Sequence, residues 1–223
     1  MLLRVLVALL FVLIIGAAVL WQWWSGWEPS RDDYPMQGIT VSAQQGDIAW
    51  GAVRTQGVDF AYIRATSPDG KRDPSFADNW KAAQEAGLRY GAELLYDPCK
   101  RAADQATLFI TTVPRDNAAL PPVVNIMAGE HCPNQPGRDA ILSELNTLLN
   151  LVETHGGKAA LIRISPAVET RYELSSGINR TLWLERNYFL PDYAAHPWVM
   201  WTASDARRIE GIEGPVEWDV VAP

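Results

Sequence analysis

Residues 5–24 form the longest apolar run in the chain: twenty positions without a charge, with Gln22 as the one strongly polar side chain. Coiled as a helix, this run rises about 30 Å, the thickness of a bilayer's hydrocarbon core. Residues 25–36 are polar and rich in turn formers, and they read as a linker. From Gly38 onward, short β-branched or apolar runs alternate with stretches in which apolar side chains recur every three or four positions. The runs at 38–42, 60–66, 88–96, 122–127 and 159–165 predict strands. Helices are predicted from Asp47, as a cap, through Gln56; from Ser75 to the stop at Gly87; and over 100–112, 138–155 and 166–174. In the longest of them Ile141, Leu145, Leu148, Leu149 and Val152 make the apolar stripe. Three further apolar runs follow with little helix between them, at 181–186, 198–202 and 217–221.

Eight strands, the first five separated by helices, imply an α/β chain with a mostly parallel sheet. A sheet of that size can close into a TIM-like, irregular (β/α) barrel, which leaves no exposed edge. An open, doubly wound sheet is the alternative. No glycine-rich phosphate loop follows the first strand, so a nucleotide-binding fold gains no support. The organisation expected is a transmembrane anchor over 1–24, a linker over 25–36 and a barrel domain over 37–223. Chemistry in such barrels gathers at the carboxyl ends of the strands. Here those ends carry Thr40, Arg64, Glu93, Asn125, Met127, Arg163, Glu185, Trp201, Glu217 and Asp219.

Charge sets the compartment. Arg4 and the amino terminus precede the apolar run, and the next charge is Glu28. Positive charge stays cytoplasmic, so the remainder is expected outside the inner membrane, in the periplasm. Trp21, Trp23 and Trp24 suit the outer membrane–water interface. The rival reading is a cleaved signal peptide and a secreted domain: Gly16-Ala17-Ala18 supplies small residues, though no clear A-x-A site precedes the tryptophans. The net charge of −7 argues against an extended nucleic-acid surface. Cys99 and Cys132 each follow a predicted strand, and an oxidising compartment favours a disulfide between them over two free thiols. Neither a metal nor a cofactor is expected, since His131 and the two cysteines lack ligand spacing.

The strand ends carry a resemblance. Gly38-Ile39-Thr40-Val41-Ser42 is followed by Gln45-Gly46 and Trp50. The second strand reads Gly57-Val58-Asp59-Phe60 and Tyr62-Ile63-Arg64-Ala65-Thr66. Asp73-Pro74-Ser75-Phe76, Asn79-Trp80, Ala86-Gly87-Leu88-Arg89, Gly91-Ala92 and Leu120-Pro121-Pro122-Val123-Val124 continue the series, and Gly211-Ile212-Glu213-Gly214-Pro215-Val216 comes before the last strand. From Gln37 to the C-terminus this resembles glycoside hydrolase family 25, the muramidases that cut the N-acetylmuramic acid to N-acetylglucosamine linkage of peptidoglycan. The resemblance implies a barrel, a peptidoglycan glycan as ligand, and acidic residues at the first strand, at both ends of an Asp-x-Glu segment and at the last strand.

At those positions this chain has Thr40, then Asn125-Ile126-Met127, and finally Glu217 with Asp219 nearby. Glycoside cleavage needs a proton for the leaving oxygen and negative charge facing the oxocarbenium-like centre. Met127 has no proton to give and Asn125 carries no charge. General acid catalysis alone is worth about 10²–10⁴ in rate, so muramidase activity is expected to be lost or strongly reduced. One alternative is a relocated acid pair, Glu93 and Glu217, with Asp219 beside them; the other account of Glu93 is a salt bridge to Arg64 or Arg163. A third reading is a structural periplasmic ectodomain. Arg64, Glu185, Trp201 and Trp218 are candidate glycan-binding residues, the two tryptophans either stacking on sugar rings or filling the barrel.

Overall fold

The computed structural model describes residues 2–134 and 136–223, without the side chains of Leu2, Leu3, Val5, Val7, Ala8, Ala18 and Trp23. The expectations for the amino terminus and the Trp23 ring lie outside the described residues. Helix α1 (Leu2–Gly26) precedes a run of strands and helices: β1 (Gln37–Val41), α2 (Trp50–Thr55), β2 (Phe60–Arg64), α3 (Phe76–Glu85), β3 (Arg89–Tyr96), α4 (Ala102–Thr112) and β4 (Val123–Ile126). Then come α5 (Arg138–Gly156), β5 (Leu161–Ile164), α6 (Pro166–Tyr172), β6 (Thr181–Glu185), β7 (Trp198–Arg207) and β8 (Val216–Val221).

The eight strands close into a barrel in sequence order, which rules out the open sheet. Strands β1 to β7 pair in parallel with their neighbours, but β8 runs antiparallel to both β7 and β1. The expectation of a mostly parallel sheet is therefore corrected to a mixed one. Its cause is the short return over 208–215, since a parallel neighbour needs a crossover of a dozen residues or more. It follows that the amino end of β8 lies beside the carboxyl ends of the other strands. Glu217 reaches the mouth because β8 begins there, opposite Thr40.

The cap expected from Asp47 is not made. Ala49 occupies the N-cap of α2 with no side-chain hydrogen bond, and its N–H donates to the Gly211 carbonyl at 2.8 Å. The side-chain cap forms earlier: Ser42 and Gln45 make a reciprocal capping box around a single 3₁₀ turn at Ala43–Gln45.

Side chains alternate between the barrel interior and its outer wall, as the two-residue period of a strand requires. The lower interior is apolar, built from Phe60, Tyr62, Val123, Leu161, Trp183 and Met200. It depends on Gly38 in β1, where a Cβ would lie 2.4 Å from the Phe60 ring. Outside the wall, α5 buries the stripe Ile141, Leu145, Leu148, Leu149 and Val152 that its spacing predicts.

Among the described residues, none of the helices α2–α6 packs on β7 and β8; the end of α1 and residues 27–34 lie there instead. The rings of Trp27 and Tyr34 meet Trp201 edge-on at 6.5 and 5.7 Å. Buried Gln37 donates to the carbonyls of Pro29 and Tyr34, both at 2.9 Å. Arg31 pairs with Asp59 at 3.0 Å and Arg207 with Glu28 at 2.6 Å. The segment that joins α1 to the barrel is thus laid against the barrel's outer wall. Helix α1 itself is long and apolar enough over Leu9–Gly26 to cross a membrane.

Candidate functional site at the barrel mouth

Above the apolar layer, the interior turns ionic. Glu93, on β3, is completely buried. It accepts from Arg64 Nε at 2.8 Å, from Arg163 Nη1 at 3.0 Å and from the Asn125 amide at 3.0 Å. The strand register creates this meeting, because Arg64 lies opposite Glu93 across β2 and β3, and Asn125 opposite Arg163 across β4 and β5. Both arginines also reach Glu217, Arg163 at 2.7 Å and Arg64 at 3.3 Å. Arg163 donates further to Glu185 at 2.6 Å, and its guanidinium lies 5.0 Å from the Trp183 ring centroid. The salt bridge expected for Glu93 thus exists with both of the named arginines, not one.

The electrostatics follow from that geometry. Burial alone would raise the Glu93 carboxyl, yet Arg64 and Arg163 outweigh it and hold Glu93 below the ordinary glutamate value. The same carboxylates lift Arg163 well above the ordinary arginine value, against its own burial. Both ions of this buried pair are fixed in their charged forms. A carboxylate that must stay ionised to satisfy two guanidiniums is a poor proton donor.

Asp219 sits apart from this ion-pair network. It is fully buried and accepts from the Thr40 hydroxyl at 2.8 Å and the Thr202 hydroxyl at 2.7 Å. The Trp183 indole N–H donates to Thr202 at 2.8 Å, closing the lower side. Burial pushes Asp219 up to about 7 despite Arg163, with Glu217 adding to the rise. Asp219 therefore titrates near neutrality rather than near 4, at a position closed to solvent. Glu185 is also raised, by burial first and by its neighbours Glu217 and Glu93, while Arg163 opposes the shift. Unlike Glu93, the Glu185 side chain is 28% exposed and Glu217 25% exposed, so these two carboxyls face the mouth.

Thr40, Asn125 and Glu217, which the resemblance assigns to the family's acidic positions, do converge on this one end. Thr40 serves Asp219 and Asn125 serves Glu93. Met127 follows β4, half-buried, its N–H donating to the Tyr96 carbonyl at 2.9 Å. Arg64 and Glu185 line the mouth. Trp201 and Trp218 do not. Their neighbours Thr202, Glu217 and Asp219 point inward, so alternation turns both indoles to the outer wall. There Trp218 donates to Gln37 at 2.7 Å beneath the Arg207 guanidinium, and Trp201 donates to the Arg186 carbonyl at 2.7 Å. Both are covered by residues 27–37 and neither is placed to stack on a ligand in the mouth.

Arg163 was named as a partner for Glu93 and not as the hub of the site, and Thr202 and Trp183 were not singled out. The alternation Thr181, Trp183, Glu185 along β6 placed Trp183 on the inner face with Glu185, and that signal was available. The Thr202 bond to Asp219 depends on the antiparallel turn of β8 and left no local trace. A disulfide joins Cys99 and Cys132 with a Cα–Cα distance of 5.3 Å. Among the described residues, Asp97, Cys99 and His131 are the one His/Cys/acid group close enough to share an ion, but the Cys99 sulfur is committed to the disulfide. His131 instead lies 3.2 Å from Asp97, whose carboxyl is held low by the Cys99 N–H and by His131 against its burial.

Comparison with known proteins agrees with the geometry. The profile described as "Glycosyl hydrolases family 25" matches residues 39–212. "Uncharacterized protein YegX" of Escherichia coli strain K12 is 32% identical over 194 residues, spanning 84% of this chain and 70% of its own length. "Lysozyme M1" of Streptomyces globisporus is 37% identical over 107 residues, 46% of this chain and 35% of its own. Among solved structures, a family 25 glycosyl hydrolase from Bacillus anthracis superposes with a TM-score of 0.77 at 25% identity, covering 88% of this chain and 92% of that one. A bacterial lysozyme from Streptomyces coelicolor, at 24% identity and a TM-score of 0.70, shares the fold over 82% of this chain and 90% of its own.

Proposed function

The chain belongs to glycosyl hydrolases family 25, and from that premise we propose that it is a cell-wall protein whose barrel mouth holds peptidoglycan glycan strands while cleaving them slowly or not at all. The relatives named as lysozymes support the ligand class. The observation that carries the loss of turnover is the mouth itself. Asn125 and Met127 stand in the Asp-x-Glu segment, and the buried acid bonded to Asn125, Glu93, is held ionised by two arginines. Asp219, the acid whose burial makes it titrate near neutrality, is closed off by Thr40 and Thr202. What remains open to a ligand is a polar floor of guanidinium, amide and carboxylate edges suited to sugar hydroxyls and N-acetyl groups.

In this reading α1 anchors the chain in the inner membrane and the barrel lies in the periplasm, within reach of the wall. The length and apolarity of the helix support the anchor, and the Cys99–Cys132 disulfide supports an oxidising compartment.

A second reading has one specific observation behind it. Glu185 is partly exposed and its carboxyl is raised, the property of a general acid, and Glu217 lies across Arg163 from it. A residual muramidase would rest on that pair rather than on Glu93. The deciding experiment incubates the protein with purified peptidoglycan and follows both co-sedimentation and release of reducing ends. Binding without release is the expected result. Release that disappears in Glu185→Gln and Glu217→Gln establishes the second reading instead, and neither binding nor release leaves the barrel as a structural ectodomain.

A further inference from the structure

The end of α1 does not stand free of the barrel. The Trp24 ring meets Tyr188 edge-on at 4.7 Å, and the Trp27 ring also meets Tyr188 edge-on, at 5.2 Å. The Arg208 N–H donates to the Ser25 carbonyl at 2.9 Å, and Arg207 bonds the carbonyl of Gly26. These contacts tie the last turn of the helix to the turn between β6 and β7 and to the far end of β7.

The same turn presents the two most exposed large apolar side chains of the barrel domain, Phe189 at 67% and Leu190 at 56%. The backbone of the turn is tied to its neighbours. Tyr188 takes a left-handed backbone with φ of 66°, which a tyrosine adopts only under constraint, and its N–H donates to the Ala203 carbonyl at 2.8 Å. Arg186 donates to the Leu190 carbonyl at 3.0 Å and pairs with Asp192. A turn that offers adjacent phenylalanine and leucine side chains to solvent is a candidate contact point for an apolar surface.

Continuity with α1 names that partner. If α1 crosses the bilayer, Trp24 lies at its outer interface. Tyr188 is in ring contact with Trp24, and Phe189 and Leu190 follow it by one and two residues, a reach of about 7 Å of chain. We infer that the Phe189–Leu190 turn docks into the outer surface of the bilayer that α1 spans, as a second membrane contact. Glu185, the last residue of β6, lies three residues before Tyr188, so this contact brings the barrel mouth to the membrane surface. The inference rests on the reading of α1 as an anchor.

The test uses the full chain reconstituted in vesicles of phosphatidylethanolamine and phosphatidylglycerol. A single added cysteine at Phe189→Cys, or at Leu190→Cys as a second variant, carries an NBD fluorophore. Ala159→Cys, exposed just ahead of β5 at the opposite end of the barrel, serves as the reference. The expected result is a blue-shifted emission at 189 and 190, quenched several-fold more by doxyl-labelled lipid than the probe at 159. Emission at both turn positions as wet as at 159, in protein that floats with the vesicles, overturns the docking and leaves the anchor standing. A blue shift without lipid quenching also overturns it, in favour of a protein partner. Protein that fails to float overturns the anchor reading, and the docking with it.

Discussion

Arg163 touches more of the mouth than any other side chain, and its substitution should be felt most. It is 2% exposed and bonds Glu93, Glu185 and Glu217. Removing one partner of a buried ion pair leaves charge without compensation, at a cost of about 3–5 kcal/mol. Arg163→Met is therefore expected to lower the stability by that amount in urea unfolding, while Glu217→Gln, at the partly exposed edge, costs less. Asp219 gives a pH dependence of the opposite kind from Glu93. Its carboxyl rises from 3.8 in the unfolded chain to about 7 in the barrel. Between those values the folded state binds the extra proton, so its contribution to stability is full below about 4 and is lost as pH climbs to 7. Asp219→Asn removes the group. The stability of that variant relative to wild type should rise by a few kcal/mol between pH 4 and 8, at about 1.4 kcal/mol per unit, in urea titrations at several pH values. Glu93, held low, is common to both proteins and cancels from the difference. Of these residues, Glu93 was conspicuous in the sequence as an acid inside an apolar strand, and its arginine partners followed from the strand ends they share. The Thr40–Asp219–Thr202 bonds were not legible, because they join positions 179 and 17 residues apart through a strand direction that no local pattern encodes.

At the scale of elements, periodicity placed the eight strands and the main helices, and failed where tertiary contacts overrode local chemistry. Asp47 had the right residue type for a cap, but the Ala49 bond to Gly211 sets where α2 begins. The direction of β8 hung on the length of one connection. For Trp201 and Trp218 the sequence left open whether they stack on sugar rings or fill the barrel; alternation relative to Glu217 and Asp219 puts them on the outer wall, packed against residues 27–37. The disulfide belongs to this scale, since it ties the segment after β3 to the segment after β4 across 33 residues. Closing a loop of that length restricts the unfolded chain by about 3–4 kcal/mol. The double variant Cys99→Ser, Cys132→Ser should unfold at correspondingly lower urea concentration, and wild type treated with a thiol reductant should match it.

The molecule as a whole is a family 25 barrel whose mouth holds a buried ion-pair network. Such a network favours one fixed arrangement of the strand ends and leaves polar edges for a glycan to meet. On the proposed function, holding and cutting have been separated in this barrel. Reducing-end release from purified peptidoglycan by the full chain, scored beside a family 25 lysozyme at equal concentration, measures that separation most directly. We predict sedimentation with the wall and no release above the protein-free baseline, whereas release at a rate comparable to the lysozyme would contradict the account.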